Sequence, residues 1–557
     1  MQLGPVPGGF QLNNPDKARK GSTARAASRL SITAIAQRST RASVVLFAGN
    51  FVSTGILAVS SIVIARLLGP SSYGSYTLVL LIPQIFQLFV GFGVNSAITR
   101  FSAYHIARGE EDVARRFSIN SMVFLLLFGG ALSAVCFVAS GSVSADVLHR
   151  PELAPLVRDV SVAIIAQTAL QASVQGLVGW NLTGLASMGS ILQAALRLAI
   201  APALVVSGFG VLGALTGYTA GYLIAGTAAG AAFYVLRLRR TQERRAAANF
   251  VADVKELVSY GLPVYTGNVL GGVASYFVTL LVALIATNAV VGYYQAANNI
   301  TSAYTLALAA ITLALFPAFS SLHGAGADTA SAFRRATKFV AYIMTPAILF
   351  IAGAAGAIMR ILYGPAFSAA DTYLVLLAVS DIPLVLGSTV ASAFFNGVGK
   401  TRLSLAVGAA SASALVVSAP LLGDVFGLGV DGLIYALFVS NALSGGAGLY
   451  FAARYLGATV DLRSVAATFA ASAMGYVAVV LTSGLALSDL FSLAVDVLVF
   501  FGVYFTAAPV LRAIDASDVE TLGTALGGMG AFAGVLRPII RYELFVARRL
   551  GLGRQPA

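Results

Sequence analysis

Four kinds of residue are scarce in this chain of 557: one cysteine, one tryptophan, three histidines, and charged residues at only 10%. A lone Cys136 excludes an internal disulfide, and His105, His149 and His323 lie too far apart for metal-ligand spacing. No metal or cofactor is expected. Soluble domains carry about 25% charged residues, so a chain with so few, and 58% hydrophobic, lacks the polar surface that water would require. What it has instead is long apolar runs, and about 20 apolar residues carry a helix across the hydrocarbon of a bilayer. They place spans near 44–65, 76–98, 118–140, 160–180, 187–207 and 211–236. A basic linker at 237–260 precedes spans near 262–286, 298–320, 339–361, 372–395, 403–422 and 430–453, and two more follow near 465–485 and 491–511. The expected fold is an all-α polytopic membrane protein of about fourteen transmembrane helices.

Lys and Arg number 35 against 22 Asp and Glu. In a membrane protein that excess is read as topology, not as nucleic-acid binding. Threading the chain from the amino terminus puts thirty of the cations on the starting side. Arg66, Arg150, Arg158 and Arg360 fall on the other, and Arg197 falls inside a span. Both termini and the 237–260 linker are therefore expected to be cytoplasmic, in a multi-pass protein of the cell membrane. Residues 1–43 are polar and basic, without the apolar core of a signal peptide, and read as a disordered arm. The tail, 512–557, mixes Leu, Ile, Phe and Val with Arg537, Arg541, Arg548 and Arg549. That mixture suits a helix lying on anionic membrane lipids; a solvated basic tail is the alternative.

The two sets of six spans echo each other. Leu68-Gly-Pro-Ser-Ser-Tyr-Gly-Ser-Tyr76 answers Ala289-Val-Val-Gly-Tyr-Tyr294, with Gly74 and Gly292 218 residues apart. Arg115-Arg116 answers Arg334-Arg335, and Gly208-Phe-Gly-Val-Leu-Gly213 answers Gly427-Leu-Gly-Val-Asp-Gly432, both at 219. A duplication into bundles at 44–236 and 261–453 follows, with the helices at 464–511 outside the repeat. Because six is even, both bundles should point the same way, related by an axis along the membrane normal, with the substrate path between them. Recurrent small-residue turns are the alternative.

Ala65-Arg-Leu-Leu-Gly-Pro-Ser-Ser-Tyr-Gly-Ser-Tyr76, Gly292-Tyr-Tyr294 and Leu315-Phe-Pro-Ala318 carry a further likeness. Over about 44–511 the chain resembles the polysaccharide transporter family of the multidrug/oligosaccharidyl-lipid/polysaccharide (MOP) flippase superfamily. The segment Asp518-Val-Glu-Thr-Leu522 is similar to archaeal-type members. The resemblance implies a flippase that moves an isoprenoid phosphate- or diphosphate-linked oligosaccharide from the cytoplasmic to the outer leaflet by alternating access, without catalysis; a monomer is expected. A multidrug or cation antiporter on the same fold would need carboxylates in the membrane, where the amino half offers Arg197 alone. A glycosyltransferase or polymerase would need an acidic loop at the membrane surface, and the longest outer linker is only 141–159. A lipid II flippase stays open.

Arg197, ten residues from either end of its span, should sit about 15 Å from each membrane face. Mid-bilayer Arg costs about 2.5–3.5 kcal/mol on insertion scales, so it should face a cavity or a partner. Its fork of donors suits the oxygens of a diphosphate, and a structural pairing with an acidic residue or carbonyls is the equal alternative. Gln167, Gln171 and Gln175 recur every four residues and offer amides to sugar hydroxyls or to neighbouring helices. Asn50, Gln84 and Gln87 are candidates for the same cavity. Asp381 is the buried carboxylate that could take up a proton during the transport cycle or pair with an arginine, and Arg66 and Arg100 read as anchors at span ends. Gly397-Val-Gly-Lys-Thr401 lacks the first glycine and preceding strand of a phosphate loop, so it reads as a turn.

Overall fold

The computed structural model describes the backbone of residues 15–239, 249–482, 488–527 and 531–549, and most side chains among these from residue 42 onward. No strand occurs among the described residues. The first half of the chain forms α1 (Pro15–Leu88), α2 (Val94–Ala107), α3 (Glu111–Val138), α4 (Val162–Gly179), α5 (Thr183–Leu204) and α6 (Gly210–Phe233). The second forms α7 (Phe250–Ile285), α8 (Asn288–Gly324), α9 (Thr329–Gly353), α10 (Ala370–Pro383), α11 (Thr389–Gly397), α12 (Thr401–Pro420) and α13 (Gly429–Leu456). Then come α14 (Leu462–Thr482), α15 (Asp489–Val510), α16 (Ala516–Gly527) and α17 (Ala531–Arg549).

Among the described residues eleven stretches of helix are long and apolar enough to cross a bilayer, and two of them break in the middle. In α1 the break is Gly69, at φ 72°. Only glycine takes that conformation without strain, and Pro70, with no N–H to lose, restarts the helix. The stretch Thr183–Leu238 breaks where Gly208 and Gly210 take φ 95° and 52°. Their counterparts in the repeat, Gly427 and Gly429, take 66° and 60°. Gly213 and Gly432 then seat the following helix against the preceding one, where a Cβ would lie 2.9 Å from Leu204 and 2.4 Å from the Leu422 carbonyl oxygen. The short glycine motifs at offset 219 thus build the same hairpin twice.

Helix starts follow local chemistry. Asn249 caps α7 by accepting from the Ala252 amide at 3.1 Å, and Asp328 caps α9 through the Ala330 and Ser331 amides at 3.0 and 3.1 Å. Residues 15–43, expected as a disordered arm, continue α1 as helical backbone. No Gly or Pro interrupts Ser22 to Ala48, and the stretch is rich in Ala and Arg, good helix formers. Residues 1–14, the middle of the 237–260 linker (240–248) and the end of the tail (550–557) lie outside the described residues.

Apolar side chains cover the outside as well as the inside: Val138 is 83% exposed and Leu481 77%. Such a surface is compatible with lipid, not water. Inside, one continuous core links the halves, from Ile64, Tyr76 and Leu125 through Tyr218 to Val282, Tyr294 and Leu433. Another joins α14 and α15 to α9 through Phe500, Tyr504 and Tyr342. The tail helix α17 is tied to that core, because the Tyr342 hydroxyl donates to the buried Glu543 carboxylate. Lys338 pairs with Asp518, and Arg548 with Glu520 at 3.0 Å.

Candidate functional site

Between the halves lies a cavity of about 1070 Å³, walled by α1, α4, α5 and α6 on one side and by α7 and α8 on the other. That exceeds the roughly 300–1,000 Å³ of ordinary small-molecule sites. The halves touch at both ends of it. At the end bearing the basic linkers, Gly93 and Gly261 meet backbone to backbone; a Cβ on Gly93 would fall 2.2 Å from the Gly261 carbonyl oxygen. Asp253 there takes the Arg116 guanidinium at 3.0 Å and the Asn120 amide at 2.7 Å. Arg100 lies 4.1 Å over the Tyr260 ring. At the opposite end Gly74 meets Gly292, Arg66 donates to the Ile361 carbonyl, and Arg150 donates to the carbonyls of Ala283 and Ala286, each at 2.5 Å. Those last carbonyls are the unsatisfied acceptors at the end of α7. Arg66 and Arg100 do mark span ends, but their head groups reach across to the other half.

Among the described residues Arg197 is the one charged side chain on the cavity wall. Its Nη2 donates to the Tyr76 hydroxyl at 3.1 Å, and its guanidinium sits 5.1 Å from the centre of the Tyr218 ring. Among the described residues no carboxylate pairs with it, and its Nε has no partner. α5 holds it there because Gly221 lets α6 approach the Arg197 backbone: a Cβ on that glycine would lie 3.3 Å from the Arg197 nitrogen.

Gln84, Gln87, Gln167 and Gln171 also line the cavity. Gln87 donates to Gln171 at 3.4 Å, and the buried Gln167 amide nitrogen has no partner among the described residues. Gln175 does not reach the cavity; its side-chain oxygen accepts from Thr99 at 3.0 Å. A step of four residues overshoots a helical turn by about 40°, so two steps rotate Gln175 away from Gln167 and onto α2. Asn50 is exposed on α1 and is likewise not part of the wall.

The residues 39–323, just over half of the chain, match the sequence pattern of polysaccharide biosynthesis proteins. The chain belongs to that family. In structure this polysaccharide biosynthesis family member is similar to the lipid II flippase MurJ in an inward closed conformation, with TM-score 0.68 and 12% identity over 84% of this chain and 98% of that one. It is also similar to an inward-facing multidrug resistance MATE family transporter of the MOP superfamily, with TM-score 0.61 and 16% identity over 77% and 96%. A third likeness is to a MOP superfamily transporter from Pyrococcus furiosus described as having a binding pocket of reverse polarity, with TM-score 0.50 and 19% identity over 79% and 95%. These likenesses establish the MOP flippase fold. No curated protein sequence matches the chain.

Several wall residues of this family member escaped sequence reasoning. Tyr73 and Tyr76 belong to the motif that carried the resemblance, yet they read there as fold markers. Tyr218 and Tyr222, at spacing four on α6, bring two more phenols to Arg197. The second half contributes the amides Gln295, Asn298 and Asn299. Asn299 donates to Ser61 at 3.0 Å and to Tyr73 at 2.9 Å, so one amide on the cavity wall joins the halves. Asp381 lies off the wall, accepting from the Tyr304 hydroxyl at 2.7 Å and the Asn441 amide at 3.2 Å. No ion pair to Asp381 is found among the described residues.

Proposed function

We propose that this protein flips an isoprenoid-linked oligosaccharide, joined through phosphate or diphosphate, from the cytoplasmic to the outer leaflet by alternating access, making and breaking no covalent bond. The observation that carries this reading is the polarity of the cavity: one unpaired cation, ringed by phenols and amides, with no carboxylate on the described wall. A saccharide headgroup loses its water on entering the membrane and needs a hydrogen-bond partner for each hydroxyl. Amides and phenols meet that need as both donors and acceptors, and tyrosine rings offer apolar faces to the carbon side of a sugar. An antiporter for cationic compounds would meet a fixed cation there and no carboxylate on the described wall.

On this reading 44–236 and 261–453 are two bundles that rock about the central cavity, and fourteen crossings result from counting both halves of each broken helix and adding α7. The basic end faces the cytoplasm. Asp381, held only by neutral donors, is the coupling group, and the protein works as a monomer. The arginine-rich face of α17 rests on anionic lipid.

The test is reconstitution. Purified protein in liposomes should carry a polyprenyl-phosphate-linked sugar between leaflets, read by access of an external lectin, and mass spectrometry should return the substrate unchanged. No transfer above protein-free vesicles, or a lengthened or cleaved glycan, would sink the proposal.

A further inference from the structure

Counting fixed charges along the path narrows the substrate. Among the described residues the wall carries Arg197 and no second ionised group. The stretch of α7 from 263 to 275, whose side chains are mostly undescribed, contains no Asp, Glu, Lys, Arg or His. The other arginines near the path are already engaged at its two ends: Arg66 and Arg150 on backbone carbonyls, Arg116 on Asp253, Arg100 over Tyr260. Each lies where the halves close, not where a headgroup would sit midway.

We infer that the cavity is matched to a lipid whose sugar is attached through a single phosphate, a diester with one negative charge, in preference to a diphosphate with two. The inference rests on the flippase reading above. One phosphodiester beside one guanidinium leaves the occupied cavity neutral, and two of its oxygens can take two parallel N–H bonds from the fork. A diphosphate would bring a second charge with only phenol and amide dipoles to meet it. An ion buried without a counter-charge is costly in a low-dielectric site, more so than the loss of a neutral hydrogen bond.

Two polyprenyl carriers with the same chain and the same sugar, one monophosphate-linked and one diphosphate-linked, distinguish the cases in proteoliposomes of neutral lipid. The wild type should move the monophosphate on the order of tenfold faster or more. Gln84→Lys, which adds a second cation to the wall, should shift that ratio toward the diphosphate. Equal or faster transport of the diphosphate by the wild type overturns the inference and leaves the flippase reading standing. An unchanged ratio in a folded Gln84→Lys protein also overturns it. Transport of neither carrier removes the flippase reading and the inference with it.

Discussion

Gly74 and Gly292, which occupy matching places in the two halves of the repeat, pack against each other's helices. A Cβ on Gly74 would lie 1.7 Å from the Asn288 carbonyl oxygen, and one on Gly292 would lie 2.1 Å from the Pro70 carbonyl oxygen. No flexible side chain can yield there, since the obstacle in each case is backbone. Gly74→Ala or Gly292→Ala should therefore force the halves apart at that end and lower thermal stability by about 1–3 kcal/mol. Gly446→Ala, at a helical glycine with nothing within 4 Å of its Cβ position, should stay within about 0.5 kcal/mol of wild type. Distances between spin labels across the Gly74–Gly292 contact should lengthen in the first two variants only.

Asp381 separates packing from coupling. Asp381→Ala would leave the Tyr304 hydroxyl and Asn441 amide without their partner, at about 1–3 kcal/mol. In Asp381→Asn the amide oxygen still accepts from Asn441 while its NH2 can donate to the Tyr304 hydroxyl oxygen, so this variant should melt near the wild type. If the carboxylate carries the coupling ion, transport by the Asn variant loses its response to an imposed proton or sodium gradient. A normal response in Asp381→Asn assigns the residue to packing.

The tail should report pH. Burial pushes the Glu543 carboxyl up from the ordinary 4.5 to about 7, partly offset by the hydrogen bond from Tyr342. Below pH 4.5 the group is neutral whether α17 is docked or free, and docking is at its strongest. Between about 4.5 and 7 the free tail ionises before the docked one, so docking weakens as pH rises through that window and levels off above it. A nitroxide replacing Arg541 should be least mobile at pH 5 and more mobile at pH 7.5. Glu543→Gln should hold the low-pH mobility throughout.

Orientation can be read by labelling. With Cys136 replaced, a cysteine at Glu152 should react with an impermeant maleimide added outside sealed cells, and one at Ala327 should not; both positions are exposed. Reaction at Ala327 alone would invert the topology.

The sequence foretold an all-helical membrane protein because apolar length is a local property. The glycine motifs were legible for the same reason: each fixes one turn, as the paired φ values at Gly208, Gly210, Gly427 and Gly429 show. The cavity was only half legible. Arg197 stood out because a charge in hydrocarbon needs an explanation, and Gln84, Gln87, Gln167 and Gln171 because amides are rare there. Tyr73, Tyr76, Tyr218 and Tyr222 gave no such signal, as a tyrosine in a span is ordinary, and only the approach of α1 and α6 to α5 makes four of them neighbours of one guanidinium. Asn299 acquires its place through partners 226 and 238 residues away. Gln175 failed through helical drift, and Asn50 because nothing in its own turn says which side of α1 faces inward.

The most direct test of the central claim is flipping and thermal stability measured together on Arg197 variants in proteoliposomes. With no carboxylate paired to it, removing the guanidinium strands no buried counter-charge, so Arg197→Ala is expected to melt close to the wild type and to lose nearly all transport. Arg197→Lys should keep the charge without the fork and retain an intermediate rate. An Arg197→Ala protein that is stable and flips the lipid-linked sugar at the wild-type rate would contradict the account.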